Sequence, residues 1–405
     1  MPSRTPYLCA FTGRRDSYQV AIALQERGLL ENLITDFYTP AWLRRVGPVW
    51  PAKYAEKLNN RRAPELDDAH VTSLLGWGWR DKVRQCAGIP RNRRQALGAR
   101  DFGREIARRA RGSRAHLLVY HSYAWESFTS HYPHQPQRVL FQYHPHMDFE
   151  QTIYQQDAGR HPDFASGHTR TAHTMIEPVL LDRIKNAWRH ADLILCASSF
   201  TKQSLVWAGA DPAHCRVVPY GNSAVCDTSC ESPPPEIFHA LFVGSGCLRK
   251  GLHHLLRAWP RMKSPQERRL VLVCRDIAPE LRRLAESTPG VQIRPGVSSV
   301  ELARLYAQSH LFVLPSLVEG FAQVYLEAMT YGCPVLGTPN TALPDLGTEA
   351  DGIYMVGVGE VEELTAKLEV LGSALLESQT IRQAAQRCAS ARPWTRFRQE
   401  LIDTL

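Results

Sequence analysis

The second half of the chain alternates between short apolar runs and amphipathic stretches of helical length. The runs "HALFVG", "RLVLVC", "GVQIRPG", "HLFVLPS", "PVLGTP" and "GIYMVG" are apolar nearly throughout. Between them lie "LHHLLRAWPRM", "APELRRLAES" and "SVELARLYAQ". A strand that does not alternate with polar residues is buried on both faces. The pattern therefore predicts a parallel sheet covered by helices on each side.

The first half repeats the theme less cleanly. "PYLCAFTG", "LLVYHSY", "RVLFQYHPH", "LILCAS" and "CRVVPYG" read as strands. "DSYQVAIALQERG", "EPVLLDRIKNAWRHA" and "SFTKQSLVWAG" read as helices. Residues 40–112 interrupt this order with an Arg- and Trp-rich stretch that is mostly helical at best. The halves are separated by "GNSAVCDTSCESPPPE", whose three consecutive prolines mark a linker. At 405 residues the chain is too long for one ordinary domain. The expected architecture is α/β, with two Rossmann-like doubly wound domains facing a central cleft. The first spans 1–220, the linker 221–236 and the second 237–385, and a helix over 386–405 crosses back to the first domain. In such sheets ligands bind beyond the C-terminal strand ends.

Apolar content of 44% and charged content of 22% fit two globular cores. No run of roughly 20 apolar residues is present, so no membrane span is expected. The N-terminal "MPSRTPYLCAFTG" is too short in apolar residues for a secretory signal, which points to the cytoplasm. Most of the ten cysteines stand alone in apolar segments, and Cys226 and Cys230 lack the second pair a zinc site wants. No metal site is expected. The net charge is +8, and its arginines crowd between Arg80 and Arg114. Trp42, Trp50, Trp77 and Trp79 stand near Arg44, Arg45 and Arg80. Such a region is either a solvated basic surface or a contact for an anionic membrane, which Trp beside Arg suits better than a nucleic-acid groove.

Two segments carry candidate chemistry. "LFVGSGCLRKG" is a strand, a small-residue turn and a helix start. Gly244 and Gly246 allow close backbone approach, exposing Ser245, and Arg249 and Lys250 add two cations suited to a diphosphate. A dinucleotide fingerprint would need glycine at Arg249, so that reading, with Asp276 as the ribose acid, fails at its third glycine. "EGFAQVYLEAMTYGCPVLGT" follows another strand. Its helix is expected from Phe321, stopped by Gly332 and Pro334, with amides of Phe321, Ala322 and Gln323 open to phosphate oxygens. Glu319 and Gly320 lie in the loop before it, where Glu319 can accept from sugar hydroxyls. Glu327 sits among apolar neighbours, an awkward place for a carboxylate without a partner.

The glutamates Glu319 and Glu327, with seven residues between them, closely resemble the signature of family 4 glycosyltransferases. "ADLILCASSFTKQSLVWAGADPAHCRVVPYGN", "LFVGSGCLRKGLHHLLRAW", "LARLYAQSHLFVLPSLVEGF" and "PWTRFRQEL" extend the resemblance over most of residues 190–400. It implies the GT-B fold and a retaining hexosyl transfer from a nucleotide-diphosphate sugar, UDP- or GDP-linked. Neither a metal nor a further cofactor is implied. Glu319 would hold the donor sugar and Glu327 the ribose. Arg249 and Lys250 would neutralise the departing diphosphate. Gly244, Ser245, Gly246, Gly296, Val297, Gly320, Phe321, Ala322 and Gln323 would complete the donor site. His144 in "FQYHPHM" would stand near the donor sugar, with His146 as the competing choice. The acceptor would be a glycan or lipid-linked intermediate of cell-surface polysaccharide, lipopolysaccharide or glycolipid synthesis at the inner membrane face.

Three positions depart from the family pattern. Ser245 stands where many relatives carry an arginine, and Ala322 where glycine is common. The loop "FTGRRDSYQ" lacks the usual glycine pair, with Gly13, Arg14 and Arg15 as a substitute near acceptor or diphosphate. A sugar-nucleotide epimerase and an inactive basic binding protein of the same fold are the alternative readings.

Overall fold

The computed structural model describes residues 5–40, 43, 58, 60–168, 176–223, 237–263, 267–376 and 378–405. The tryptophans Trp42 and Trp50, Arg44 and Arg45, Cys226 and Cys230, and Pro233 to Pro235 lie outside the described residues.

The apolar runs form two all-parallel sheets. The first contains β1 (Tyr7–Ala10), β2 (Leu30–Thr35), β3 (Val71–Ser73), β4 (His116–Tyr120), β5 (Arg138–Gln142), β6 (Leu193–Cys196) and β7 (Cys215–Val217). Its order is β3-β2-β1-β4-β5-β6-β7. The second contains β8 (Phe238–Val243), β9 (Arg268–Val273), β10 (Val291–Arg294), β11 (Leu311–Val313), β12 (Val335–Gly337) and β13 (Ile353–Met355). Its order is β10-β9-β8-β11-β12-β13. In each sheet the winding reverses beside the first strand, between β1 and β4 and between β8 and β11. The loops leaving those strands diverge there and open a crevice for ligands.

Several elements differ from the sequence expectation, and residues 386–405 are not one helix but the end of Gln379–Ser390 followed by Trp394–Thr404, with Pro393 between them. β2 was not expected, because Glu31 and Asn32 interrupt its apolar run, and the short β3 falls inside the stretch read as helical at best. The helix Met147–Arg160 was also unforeseen. Its buried residues are Met147, Glu150, Ile153, Tyr154 and Asp157, so two carboxylates occupy its inward face and blur the helical periodicity.

The domains meet along a polar and aromatic seam. A Cβ on Gly320 would lie 1.8 Å from the Tyr143 carbonyl oxygen, so only glycine lets the β11 loop reach the end of β5. Asp157 lies 2.9 Å from His253 Nε2 and 2.8 Å from His254 Nε2 of the second domain. The helix Trp394–Thr404 packs back onto Gln19–Glu26 of the first domain, where Arg398 donates to Gln19 at 2.6 Å and Glu26 at 2.9 Å. Tyr220, at the crossing, stacks among Phe141, Phe321, Trp394 and Phe397. Gly320→Ala is therefore expected to destabilise the protein by about 1–3 kcal/mol, the usual cost of overpacking. It is also expected to push the domains apart. Thermal unfolding and small-angle scattering measure both, and an unchanged radius of gyration with unchanged melting would contradict this seam.

Candidate active site

The loop after β8 and the loop after β11 bring the signature residues together. Gly244, at φ +155, donates its amide to the Val273 carbonyl. Gly246 is bonded through its backbone to Asp276 and Ala278, and a Cβ there would fall 2.5 Å from Ile277. Asp276 thus meets this turn through its carbonyl. The 3-10 turn Leu248–Lys250 then aims its two cations at Glu319. Arg249 Nη1 reaches Glu319 Oε1 at 2.5 Å and the Val318 carbonyl at 3.2 Å. Lys250 Nζ reaches the same carboxylate oxygen at 2.6 Å.

This triad is largely withdrawn from water, so its charges matter more than a surface pair's. Burial pushes the Glu319 carboxyl up, but Arg249, Lys250 and His144 outweigh it and hold the group below the usual carboxylate range. Arg249 is raised above its ordinary value, chiefly by Glu319. A guanidinium carries five N–H donors and an ammonium three, so both cations retain capacity toward an anion in the cleft.

The helix after this loop begins later than the sequence suggests. It spans Val324–Thr330, with Gln323 as its N-cap. Phe321 to Gln323 form a turn instead, because Ala322 adopts the left-handed conformation at φ +68. An L-residue pays roughly 1–2 kcal/mol there, which explains why glycine suits the position. Phe321 is buried against Tyr220, anchoring the turn to the domain crossing. Glu327 accepts from the Tyr306 hydroxyl at 3.3 Å, and burial raises its pKa above the ordinary carboxylate value. Gly296 and Val297 follow β10, where the space around Gly296 is open.

On the facing wall, His144 and His146 separate in role. His144 lines a cavity of about 430 Å³ with His121, Tyr143, Glu150, Tyr154 and Arg249. His146 instead caps the helix Met147–Arg160, its Nδ1 accepting from the Asp148 amide at 3.3 Å. Its Nε2 meets the Lys185 carbonyl at 3.0 Å, and burial lowers its pKa. Both ring nitrogens of His146 thus have partners within the first domain, and it is His144 that lines the cavity. Arg15 stacks over the Tyr143 ring at 4.3 Å and donates to its hydroxyl at 2.9 Å, at the cleft wall. Gly13 donates to Asp36 at 2.8 Å, whereas Arg14 turns to Asn60 at 3.1 Å. The next residues, Asp16, Ser17 and Tyr18, are all left-handed. Tyr120 donates to Asp16 beneath them, and burial pushes that carboxyl up to about 6.

Sequence reasoning missed Glu150 and Tyr154, which face the cavity from a helix that the apolar pattern hides. Among the described residues, Asp157, His161 and His254 place ligand atoms within 4.8 Å of one another, close enough for a metal ion. Arg257 donates to His161 Nδ1 at 2.8 Å, and Asp157 also meets His253, so these side chains already serve the domain seam.

The triad has a pH signature. Since the folded state depresses the Glu319 pKa, its stabilisation is present above the unfolded carboxylate value and is lost as pH falls through the folded one. Glu319→Gln is expected to cost about 1.5–3 kcal/mol at neutral pH, the worth of charge-assisted bonds. That deficit is expected to shrink on acidification below the usual carboxylate range. Thermal melts across pH check this, and a constant deficit would remove the triad from the stability balance.

Residues 238–373 match the family model described as "Glycosyl transferases group 1". The MMP alpha-(1->4)-mannosyltransferase of Mycolicibacterium hassiacum is 34% identical over 139 residues, which is 33% of this chain and 33% of that protein. The chain thus matches about a third of that curated relative's length. Sucrose-phosphate synthase from Thermosynechococcus elongatus superposes with a TM-score of 0.66 at 16% identity, covering 99% of this chain and 98% of that one. The Anabaena HepE structure in complex with UDP-glucose gives 0.61 at 16% identity, covering 99% of both chains. The chain has the GT-B fold, and the segment similar to group 1 glycosyl transferases makes up most of its second domain.

Proposed function

We propose that the chain is a retaining glycosyltransferase that moves a hexosyl group from a UDP- or GDP-sugar to a glycan or lipid-linked acceptor. The observation that carries this reading is Glu319 clamped between Arg249 and Lys250 at the crevice between β8 and β11. Two cations beside one withdrawn carboxylate suit a ligand that joins a diphosphate to a polyhydroxylated ring. The diphosphate meets the cations, and the ring hydroxyls donate to Glu319. Glu327, a turn further along, accepts from the ribose diol. The HepE complex with UDP-glucose favours a sugar nucleotide as donor, and the mannosyltransferase relative favours a hexosyl group.

In this mechanism the bond between the anomeric carbon and the diphosphate oxygen breaks as the acceptor oxygen bonds to the same face of the sugar. The acceptor's proton passes to the departing phosphate. Arg249 and Lys250 stabilise the charge that develops on that phosphate, usually a large catalytic contribution. No metal or protein base is assigned.

A membrane-proximal acceptor, on the cytoplasmic face, fits a feature of the first domain. On the helix Leu75–Cys86, Leu75, Trp79 and Val83 recur every four residues and are exposed, Trp79 to 75%. Arg80 and Lys82 on the same helix are exposed, as are Arg91 and Arg93 at the start of the next one. Apolar and basic side chains together suit an anionic bilayer. Trp77 is partly buried against the core of the first domain, and its Nε1 donates to the Gly98 carbonyl at 2.9 Å. No described helix is long and apolar enough to cross a membrane.

A thermal-shift screen against UDP-, GDP-, ADP- and dTDP-sugars identifies the donor through ligand stabilisation. With that donor, Arg249→Ala is expected to lower turnover by about 10²–10³-fold, as loss of an electrostatic stabiliser does. Absence of acceptor-dependent nucleotide release with every donor would defeat the reading. Glu327→Gln is expected to weaken nucleotide binding yet raise the melting temperature of the free protein, since it removes a carboxylate whose burial opposes ionisation. Replacing Trp79 by Ser with Arg80, Lys82 and Arg93 neutralised is expected to abolish sedimentation with anionic vesicles. Undiminished sedimentation would remove this helix from membrane binding.

A further inference from the structure

Glu150 is only 4% exposed, yet it stands at the wall of the cleft. The helix Met147–Arg160 buries positions 147, 150, 153, 154 and 157, one continuous helical face, and so turns Glu150 inward. The Tyr154 hydroxyl, one turn further on, donates to Glu150 Oε1. The other carboxylate oxygen, Oε2, lies 3.7 Å from His144 Nδ1. His144, Glu150, Tyr154 and Arg249 line the same cavity. Burying a carboxylate there is costly unless its partners use it.

We propose that Glu150 is a positioning residue for His144, with Tyr154 fixing the carboxylate. A neutral imidazole donates through one nitrogen and accepts through the other. A carboxylate facing Nδ1 places the proton on that atom and leaves Nε2 as an acceptor for a substrate hydroxyl. The separation of 3.7 Å exceeds a hydrogen bond, and such contacts commonly tighten when the substrate fills the site. Tyr154 holds Oε1, so Oε2 is the oxygen presented to the ring. The Gln142 side chain meanwhile donates to the His144 carbonyl at 2.7 Å, fixing the backbone that carries the imidazole. Glu319 and Arg249 face His144 from the second domain, and His121 from the first, so Glu150 acts within a mixed field. The role assigned to Nε2 rests on the donor-site reading, whereas the pairing of Glu150 with His144 does not.

The test is nitrogen-15 NMR of histidine-labelled protein without substrate, comparing the unaltered chain with Glu150→Gln, Glu150→Asp and Tyr154→Phe. The unaltered chain is expected to show His144 protonated at Nδ1 when neutral. Glu150→Gln is expected to weaken the Nδ1 preference of the neutral ring. Glu150→Asp is expected to restore part of it, and Tyr154→Phe to weaken the preference. If Glu150→Gln does not fold, Tyr154→Phe decides. An unchanged tautomer in the folded variants would overturn the pairing. With the donor found by thermal shift, Glu150→Gln is expected to lower kcat by about 10–100-fold while KM for the donor changes little, as loss of a positioned group does. Equal kcat would overturn the positioning role. Failure of the unaltered enzyme to turn over would instead overturn the donor-site reading and leave the NMR result standing.

Discussion

Everything around the cleft is arranged about the charge balance at Glu319. Two cations and one carboxylate from two separate loops meet there with little water, leaving a local excess of one positive charge. A buried group of this kind is seldom kept for stability, because desolvation consumes most of the Coulomb gain. What it does provide is orientation. Arg249 also binds the Val318 carbonyl, so the cation and the loop carrying Glu319 are fixed to each other. The positions of the cations are settled before any ligand arrives, and in the proposed transfer that prior ordering would lower the reorganisation needed when negative charge develops.

The second domain supports that arrangement through backbone contacts that tolerate almost no extra atoms. A Cβ on Gly251, just after the cationic turn, would lie 1.8 Å from the Pro315 carbonyl oxygen. The turn that follows β8 and the loop that follows β11 are thus pressed together. Pro315 and Gly320 bracket the same loop, the first meeting its own domain and the second the opposite one. A loop held on both sides can keep a left-handed alanine at position 322, since the surrounding contacts over-determine it.

How much of this was legible in the sequence follows from which residues are buried. Uninterrupted apolar runs such as "RLVLVC" announced their strands, because central parallel strands have no polar face to mask them. Arg249, Lys250 and Glu319 were legible because short loops follow those strands. The elements that escaped are those whose apolar pattern is interrupted by polar residues. The half-buried Glu31 and Asn32 hid β2, and the buried Glu150 and Asp157 hid a helix that carries one wall of the cleft and one half of the domain seam. His146 looked equivalent to His144 because cap geometry depends on the chain path that follows. Ala322 looked like an ordinary first-turn residue, and only its backbone angle reveals why the helix starts at Val324.

The helix Trp394–Thr404 lies far along the chain from the domain it covers. Its buried Trp394, Phe397, Leu401 and Ile402 shield apolar surface near Gln19–Glu26, some of the earliest structure in the chain. During translation, domains generally begin to fold from the N-terminal side. Here the first sheet can assemble early, but the apolar surface about Gln19–Glu26, Phe141 and Tyr220 stays uncovered until residues 394–404 have left the ribosome. Messenger changes that slow synthesis of the second domain would lengthen that interval without altering a single amino acid.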